Sequence, residues 1–233
     1  MLGTRPAVLT FDLFSALIDS RAGGSAALQR IAGSNGWRGS GEDLYDRWDA
    51  LNKQAHRDCT TWVPFADLAR TALAAAYEQL SVPGDPRADA DALLGSVGDW
   101  PLWPDVAGEL PRLARTHRLG VLSNVDDDIL RRTRVAPLVD LDVALTSQRL
   151  RAYKPDPSIY RRAVQVAGPL VHIASSARDV RGALEARIPV VRLSRPGHHV
   201  DPEGPQPPHT ASGLADLAAV LERLPADSPS HHG

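Results

Sequence analysis

Cysteine, aromatic side chains and net charge are all scarce in this chain. One cysteine, Cys59, among 233 residues excludes a disulfide framework and fits a reducing compartment. Aromatic residues make up 5%, and the five tryptophans are expected in packing. Lys and Arg number 26 against 28 Asp and Glu, a formal net charge of −2 that is too even for a nucleic-acid footprint. No apolar run reaches the roughly 18–20 residues needed to span a bilayer. The N-terminus lacks the basic, apolar and small-residue order of a secretion signal. Gly (18) and Pro (19) are spread without a period, which excludes collagen-like and low-complexity chains. What is present, 43% apolar and 23% charged residues, suits a soluble, cytoplasmic, globular protein that partners neither nucleic acid nor membrane. The length allows one large domain, or one domain carrying a smaller insertion, with about 70–75% of the unfolded surface buried.

Five short apolar runs read as strands covered on both faces, the pattern of a parallel sheet: 7–11, 119–122, 142–145, 170–174 and 188–193. Helical patterns separate the later ones, over 105–116, 157–166 and 179–187, so βαβ units are expected. The first strand stands about a hundred residues from the second, and the interval reads mostly as helix. Phe65, Leu68, Ala69, Ala72, Leu73, Ala76, Tyr77 and Leu80 make one apolar stripe. Leu44, Trp48, Leu51 and Ala55 make a second, and 25–32 a third. Pro83-Gly84-Asp85-Pro86 ends the long helix. The expected architecture is α/β, a Rossmann-like parallel-sheet core (1–17 and 101–225) with an inserted helical cap (18–100). A long surface loop is expected over 195–212, a closing helix through Leu214, Leu217, Leu221 and Leu224, and a frayed tail over 226–233.

Ligands of open parallel sheets gather at the carboxyl ends of the strands. Strand one ends at Asp12 and strand two at Ser123-Asn124. Lys154 follows strand three, and strand four runs into Ser175-Ser176 and Asp179. A carboxylate can attack an electrophilic carbon or phosphorus and be released by water. A fixed cation keeps it ionised, and Lys154 suits that role. Ser123 and Asn124 are candidate donors to an anionic substrate. Asp179 is a candidate to hold the lysine and orient water, and the cap to exclude bulk solvent. Taken singly, Asp12 and Asp179 read as helix N-caps and Lys154 as a loop lysine. Asp126-Asp127-Asp128 reads as a solvated first helical turn. His198-His199 lacks a spaced partner, so no metal site is expected there. The ordered set is what points to chemistry.

That set resembles the haloacid dehalogenase superfamily over nearly the whole chain. Four segments carry the resemblance: 11–19 (Phe11-Asp12-Leu13-Phe14-Ser15-Ala16-Leu17-Ile18-Asp19), 121–124 (Val121-Leu122-Ser123-Asn124), 153–157 (Tyr153-Lys154-Pro155-Asp156-Pro157) and 174–183 (Ala174 to Ala183). It implies a hydrolase with a capped Rossmann-like core and Asp12 as nucleophile. The superfamily's phosphatases carry a second Asp, an acid/base whose carbonyl also helps bind Mg²⁺, where this chain has Phe14. They carry another acidic residue where it has Ala174. The resemblance is therefore to the 2-haloacid dehalogenase branch, which uses no metal or other cofactor. That branch has an aromatic residue at Phe14, a Tyr at Tyr160 and an Asn-Arg pair where Ser194-Arg195 stands. It implies that Asp12, Lys154 and Asp179 are catalytic. It implies that Phe14, Ser123, Asn124, Tyr160 and Ser176 contact a small carboxylic acid, and it allows a homodimer.

The chain departs from that branch at four places. Ser15-Ala16 replaces Gly-Thr, which removes the hydroxyl expected to steady the nucleophile. Asp49 falls where a substrate-binding Arg is expected; Arg47, Lys53, Arg57 and Arg178 are the candidate replacements. Ala174 and Ser176 stand for a late Ser and Asn. Two other readings stay open, a phosphatase with an altered Mg²⁺ site and a non-catalytic protein on the same fold. An active-site carboxylate held against desolvation is expected to be replaceable by Asn at little cost in stability.

Overall fold

The computed structural model describes residues 8–224, so Ala7 of the first apolar run and the tail 226–233 lie outside the described residues. Six parallel strands form one sheet: β1 (Val8–Phe11), β2 (Arg118–Ser123), β3 (Ala144–Thr146), β4 (Leu170–Ala174), β5 (Val190–Leu193) and β6 (Thr210–Ala211), in the order β3-β2-β1-β4-β5-β6. The α/β class and parallel topology read from the apolar runs are observed. Phe11 pairs in register with Val121 on one side and Ile173 on the other, so β1 lies in the middle of the sheet. The strand order reverses between β1 and β4, which leaves a crevice outside their carboxyl ends.

Alternate residues serve opposite faces. Leu9, Phe11, Val121, Val171 and Ile173 join one apolar cluster, and Val8, Leu122, Leu145, Leu170 and Ala174 the other. Each buried Leu, Val or Phe contributes about 1.5–3 kcal/mol by leaving water. The second face also carries two buried polar residues, Thr10 and His172.

The interval after β1 folds into four helices, α1 (Ser20–Ser34), α2 (Gly41–Asp58), α3 (Phe65–Leu80) and α4 (Pro86–Gly95). The stripes predict α2 and α3; α1 is longer than predicted at both ends, and the expected break at Pro83-Gly84-Asp85-Pro86 runs directly into α4, with Pro86 first and Asp85 capping it. The chain leaves and returns through adjacent linkers: Ile18 bridges Leu102, and Asp19 N–H donates to the Pro101 carbonyl. No described helix is long and apolar enough to cross a membrane.

The rest alternates with the strands as α5 (Val106–Leu113), α6 (Asp127–Arg132), α7 (Ser147–Leu150), α8 (Pro157–Ala167), α9 (Ala177–Glu185) and α10 (Leu214–Leu221). Three expectations need correction. The run 142–145 begins as a 3₁₀ turn, Leu141–Val143, because Asp140 accepts from the Asp142 N–H and tightens the chain there. The loop over 195–212 ends in β6, whose two residues add to β5. The acidic run is not a solvated turn: Asp126 is buried and Asp127 accepts from Thr146 and Arg149, which leaves Asp128 at the surface with Arg132.

Asp126 explains how α3 starts. Its N-cap residue is Pro64, which has no side-chain donor or acceptor to offer, and the Asp126 carboxylate fills the gap from across the fold. Its two oxygens accept from the Phe65 and Ala66 N–H groups at 3.0 and 3.0 Å. Those are two of the orphan donors every helix start leaves. Asp126→Ala should lower unfolding stability by about 0.5–2 kcal/mol in denaturant titrations. Asp128→Ala should change it by less than about 0.5 kcal/mol.

Candidate active site

A single wide turn, Leu13–Leu17, follows β1, and Asp12 stands at its entrance with extended backbone. Its Oδ2 accepts from the Ser15 N–H at 3.0 Å and from the Ser15 hydroxyl at 2.5 Å. Asp12 thus acts as the turn's cap as well as facing the crevice. Its Oδ1 accepts from the Ser123 hydroxyl at 3.0 Å and from Lys154 Nζ at 2.8 Å. The hydroxyl missing from position 16 is therefore supplied by Ser15, one residue earlier, because the wide turn carries that side chain back over the carboxylate.

An ammonium has three donors, and Lys154 uses all three. They go to Asp12 Oδ1, to Asp179 Oδ2 at 2.5 Å and to the Leu122 carbonyl at 2.8 Å. Its backbone is clamped by Asn124, whose Oδ1 accepts from the Lys154 N–H at 2.7 Å and whose Nδ2 donates to the Lys154 carbonyl at 3.0 Å. Asp179 lies in the first turn of α9, with Ser176 as N-cap. The Tyr160 hydroxyl donates to its Oδ1 at 2.7 Å, and His172 Nε2 lies 3.1 Å from both oxygens. A Cβ at Gly182 would fall 2.7 Å from the Tyr160 hydroxyl oxygen, so the tyrosine reaches Asp179 only across a glycine.

Burial alone would raise the Asp12 and Asp179 carboxyls, but the Lys154 charge outweighs it and holds both below the usual carboxylate range. Burial pulls Lys154 the other way, and its two carboxylates overcome that and raise it. All three groups are ionised at neutral pH. The ionised form of Asp12 is the one its surroundings favour, so Asp12→Asn is expected to cost stability.

The bridge opens on a cavity of about 1060 Å³ between the strand ends and α1–α3. Asp12, Phe14, Ser123, Asn124, Lys154, Ser176 and Asp179 all line it. The geometry bears on three of the expected roles. Tyr160 does not line it; it is fully buried behind Asp179, where its hydroxyl is spent. Ser123 and Asn124 line it, with the Ser123 hydroxyl engaged on Asp12 and the Asn124 amide on the Lys154 backbone. Asp179 has both oxygens occupied by Lys154, Tyr160 and His172, so it positions the lysine and has no oxygen set aside to orient water.

Phe14 forms an aromatic wall with Phe65 and Trp100, ring centroids 6.1 and 5.9 Å away. The residues present do not make a magnesium site. Phe14 has no carboxylate, its carbonyl accepts from the Ser20 hydroxyl at 2.7 Å, Ala174 offers no oxygen ligand in its side chain, and the Lys154 ammonium already sits between Asp12 Oδ1 and Asp179 Oδ2. Asp49, on the cap side of the cavity, is paired with Lys53 one helical turn on.

His172 escaped the sequence reading because it sits inside an otherwise apolar strand, where a lone His reads as core. His56 also lines the cavity, stacked 4.5 Å from Tyr153; burial, with Arg178 and Lys53 nearby, pushes it down to about 3, so it is neutral. His198, placed by sequence in a surface loop, lines the cavity as well. Arg195 is buried, and donates to the Ala16 carbonyl and to Asp105, tying the wide turn to the start of α5.

A parallel sheet with a carboxylate–ammonium–carboxylate bridge at its mouth, under a helical layer, is the architecture of the haloacid dehalogenase fold. No family model matches the chain. Among known proteins it is similar to (S)-2-haloacid dehalogenase 4A of Burkholderia cepacia, 29% identical over 140 residues; the match spans 57% of this chain and 61% of that enzyme, less than two thirds of its length. It is also similar to (S)-2-haloacid dehalogenase 1 of Pseudomonas sp. (strain CBS-3), 27% identical over 225 residues, spanning 92% of this chain and 96% of the other. The solved L-2-haloacid dehalogenase from Xanthobacter autotrophicus superposes with a TM-score of 0.81 at 21% identity, covering 94% of this chain and 100% of that one. That enzyme is also known with chloropropionic acid covalently bound. The chain thus resembles the 2-haloacid dehalogenases of the haloacid dehalogenase superfamily, as its motifs implied, and has their fold.

Because Asp179 is depressed in the folded chain, the stability it contributes is complete above the ordinary carboxylate range, and it is lost progressively as the pH falls from that range through the lower folded value. Asp179→Asn should lower Tm at pH 7. The gap to the parent chain should close as thermal melts are taken below about pH 4. A gap of constant size down to pH 2 would contradict the charged bridge.

Proposed function

We propose that this chain is a metal-independent hydrolase that removes halide from a 2-halo carboxylic acid through an ester on Asp12. The observation that carries the reading is Asp12 itself: ionised, held by four donors, facing the cavity, and beside Phe14 rather than a second carboxylate. The similarity to 2-haloacid dehalogenases supports it.

Asp12 Oδ2, bound only by Ser15, attacks the α-carbon from the side opposite the halogen. The C–O bond forms as the C–X bond breaks, halide leaves with the bonding pair, and the carbon inverts. Phe14, Phe65 and Trp100 take the alkyl and halogen parts and keep water from the first step. Oδ1 becomes the ester carbonyl oxygen. Lys154 and Ser123 then stabilise the negative charge that develops on it when water adds. Collapse expels the alkoxide, which takes one proton from the water; the second proton is released, and Asp12 is regenerated with one oxygen from water. Lys154 keeps Asp12 ionised, Asp179 fixes Lys154, and Tyr160 and His172 fix Asp179. Ser176, with a side chain free of capping duty, remains a substrate contact. Residues 18–100 act as the lid.

A single turnover of (S)-2-chloropropionate in ¹⁸O-water should place the label in Asp12. Asp12→Asn should abolish halide release. EDTA should leave the rate unchanged. Unlabelled Asp12 alongside product, or hydrolysis of p-nitrophenyl phosphate that EDTA removes, would overturn the reading.

A further inference from the structure

The site as described lacks a substrate grip. Ser123 and Asn124 are spent on Asp12 and Lys154, and the cap position expected to carry an arginine holds Asp49. An anionic substrate approaching an ionised carboxylate needs a cation that is not already neutralised. Four Arg and Lys residues line the cavity: Arg21, Lys53, Lys154 and Arg178. Arg21 is paired with Asp46 and Glu42, Lys53 with Asp49, and Lys154 with Asp12 and Asp179. Arg178 makes no ion pair among the described residues.

Arg178 is half-buried in the first turn of α9, two residues after Ser176 and next to Asp179. Asp179 turns down to Lys154, whereas Arg178 reaches the cap, where Nη1 donates to the Lys53 carbonyl at 3.4 Å. Burial and the nearby Arg57 charge make its own charge costly, which lowers it, and Asp49, Asp179 and Asp12 offset that only from beyond ion-pair distance. A half-buried guanidinium without a counter-ion is a site prepared for one. Ser176, the N-cap of the same helix, lines the cavity beside it and makes no capping bond.

We propose that Arg178 is the carboxylate-binding residue of this site, so that the substrate's acid group is held from the core side by Arg178 and the Ser176 hydroxyl, and not by a cap arginine. The Asp49–Lys53 pair fits this arrangement, because Lys53 neutralises the one cap carboxylate that would repel the substrate. A planar guanidinium engages both carboxylate oxygens and fixes the orientation of the α-carbon before Asp12. The identity of the reaction rests on the function proposed above; the carboxylate site does not.

The test therefore measures binding and turnover separately. Propionate, which carries the acid group and no halogen, should bind the parent chain in titration calorimetry. Arg178→Gln should weaken it about 10- to 100-fold, the effect of losing hydrogen bonds to a charged group, and Arg178→Lys should recover part of the loss. Circular dichroism should report all three chains folded. With (S)-2-chloropropionate the Gln variant should raise KM far more than it lowers kcat. Propionate affinity unchanged in a folded Arg178→Gln chain, no propionate binding by the parent chain, or a loss confined to Lys53→Gln would each overturn the proposal. Arg178-dependent propionate binding without halide release would uphold the carboxylate site and overturn the dehalogenase reading.

Discussion

One ammonium group between two carboxylates organises this molecule. Lys154 Nζ spends its three protons on Asp12, Asp179 and the Leu122 carbonyl. Burying three charges together is expensive unless each is paired and hydrogen-bonded, and here each is. Asp179 has Tyr160 and His172, Asp12 has Ser15 and Ser123, and the Lys154 backbone has Asn124. Removing one member leaves an uncompensated charge, so the network stands or falls as a unit. The two carboxylates and one ammonium leave one net negative charge at the cavity that all three line.

The network draws its members from several elements at the sheet's mouth. β1 supplies Asp12, β2 ends in Ser123, the loop before α8 supplies Lys154, and α9 supplies Asp179. Parallel strands in register bring these ends together, and the reversal of strand order beside β1 leaves the gap they point into. The helical layer is tied to the same loops. Asp126, three residues after Ser123, caps α3, and Asn124 lies 3.4 Å from His56 on α2. The helical layer is therefore referenced to the loop that follows Ser123, the residue whose hydroxyl donates to Asp12.

Much of this was legible in the sequence because it is local. An apolar run that stops at a polar residue marks a strand end: Asp12 and Ser123 stand at such ends, and Lys154 and Asp179 lie in the segments that follow the next two strands. The stripes on α2 and α3 were readable because burial on one side imposes a helical period. What stayed hidden depends on contacts far apart in the chain. His172 sits mid-strand and gains meaning only when α9 brings Asp179 over it. Tyr160 matches the family pattern, yet its hydroxyl donates to Asp179, which no spacing reveals. Ser15 compensates for Ala16 through a five-residue turn that propensity does not predict. Asp126 looks like a surface acid until the start of α3, 60 residues earlier, is placed against it. β6 has only two residues and no pattern to read.

The proposed reaction requires Asp12 to form a covalent bond with carbon. Acid quenching during turnover of (S)-2-chloropropionate, followed by digestion and peptide mass analysis, reads that bond. A transient adduct with the mass of the dehalogenated acid is expected on the peptide carrying Asp12, and its loss when Lys154 is replaced by Met. Product accumulating while that peptide keeps its native mass at every time point, or an adduct mapping to another residue, would contradict it.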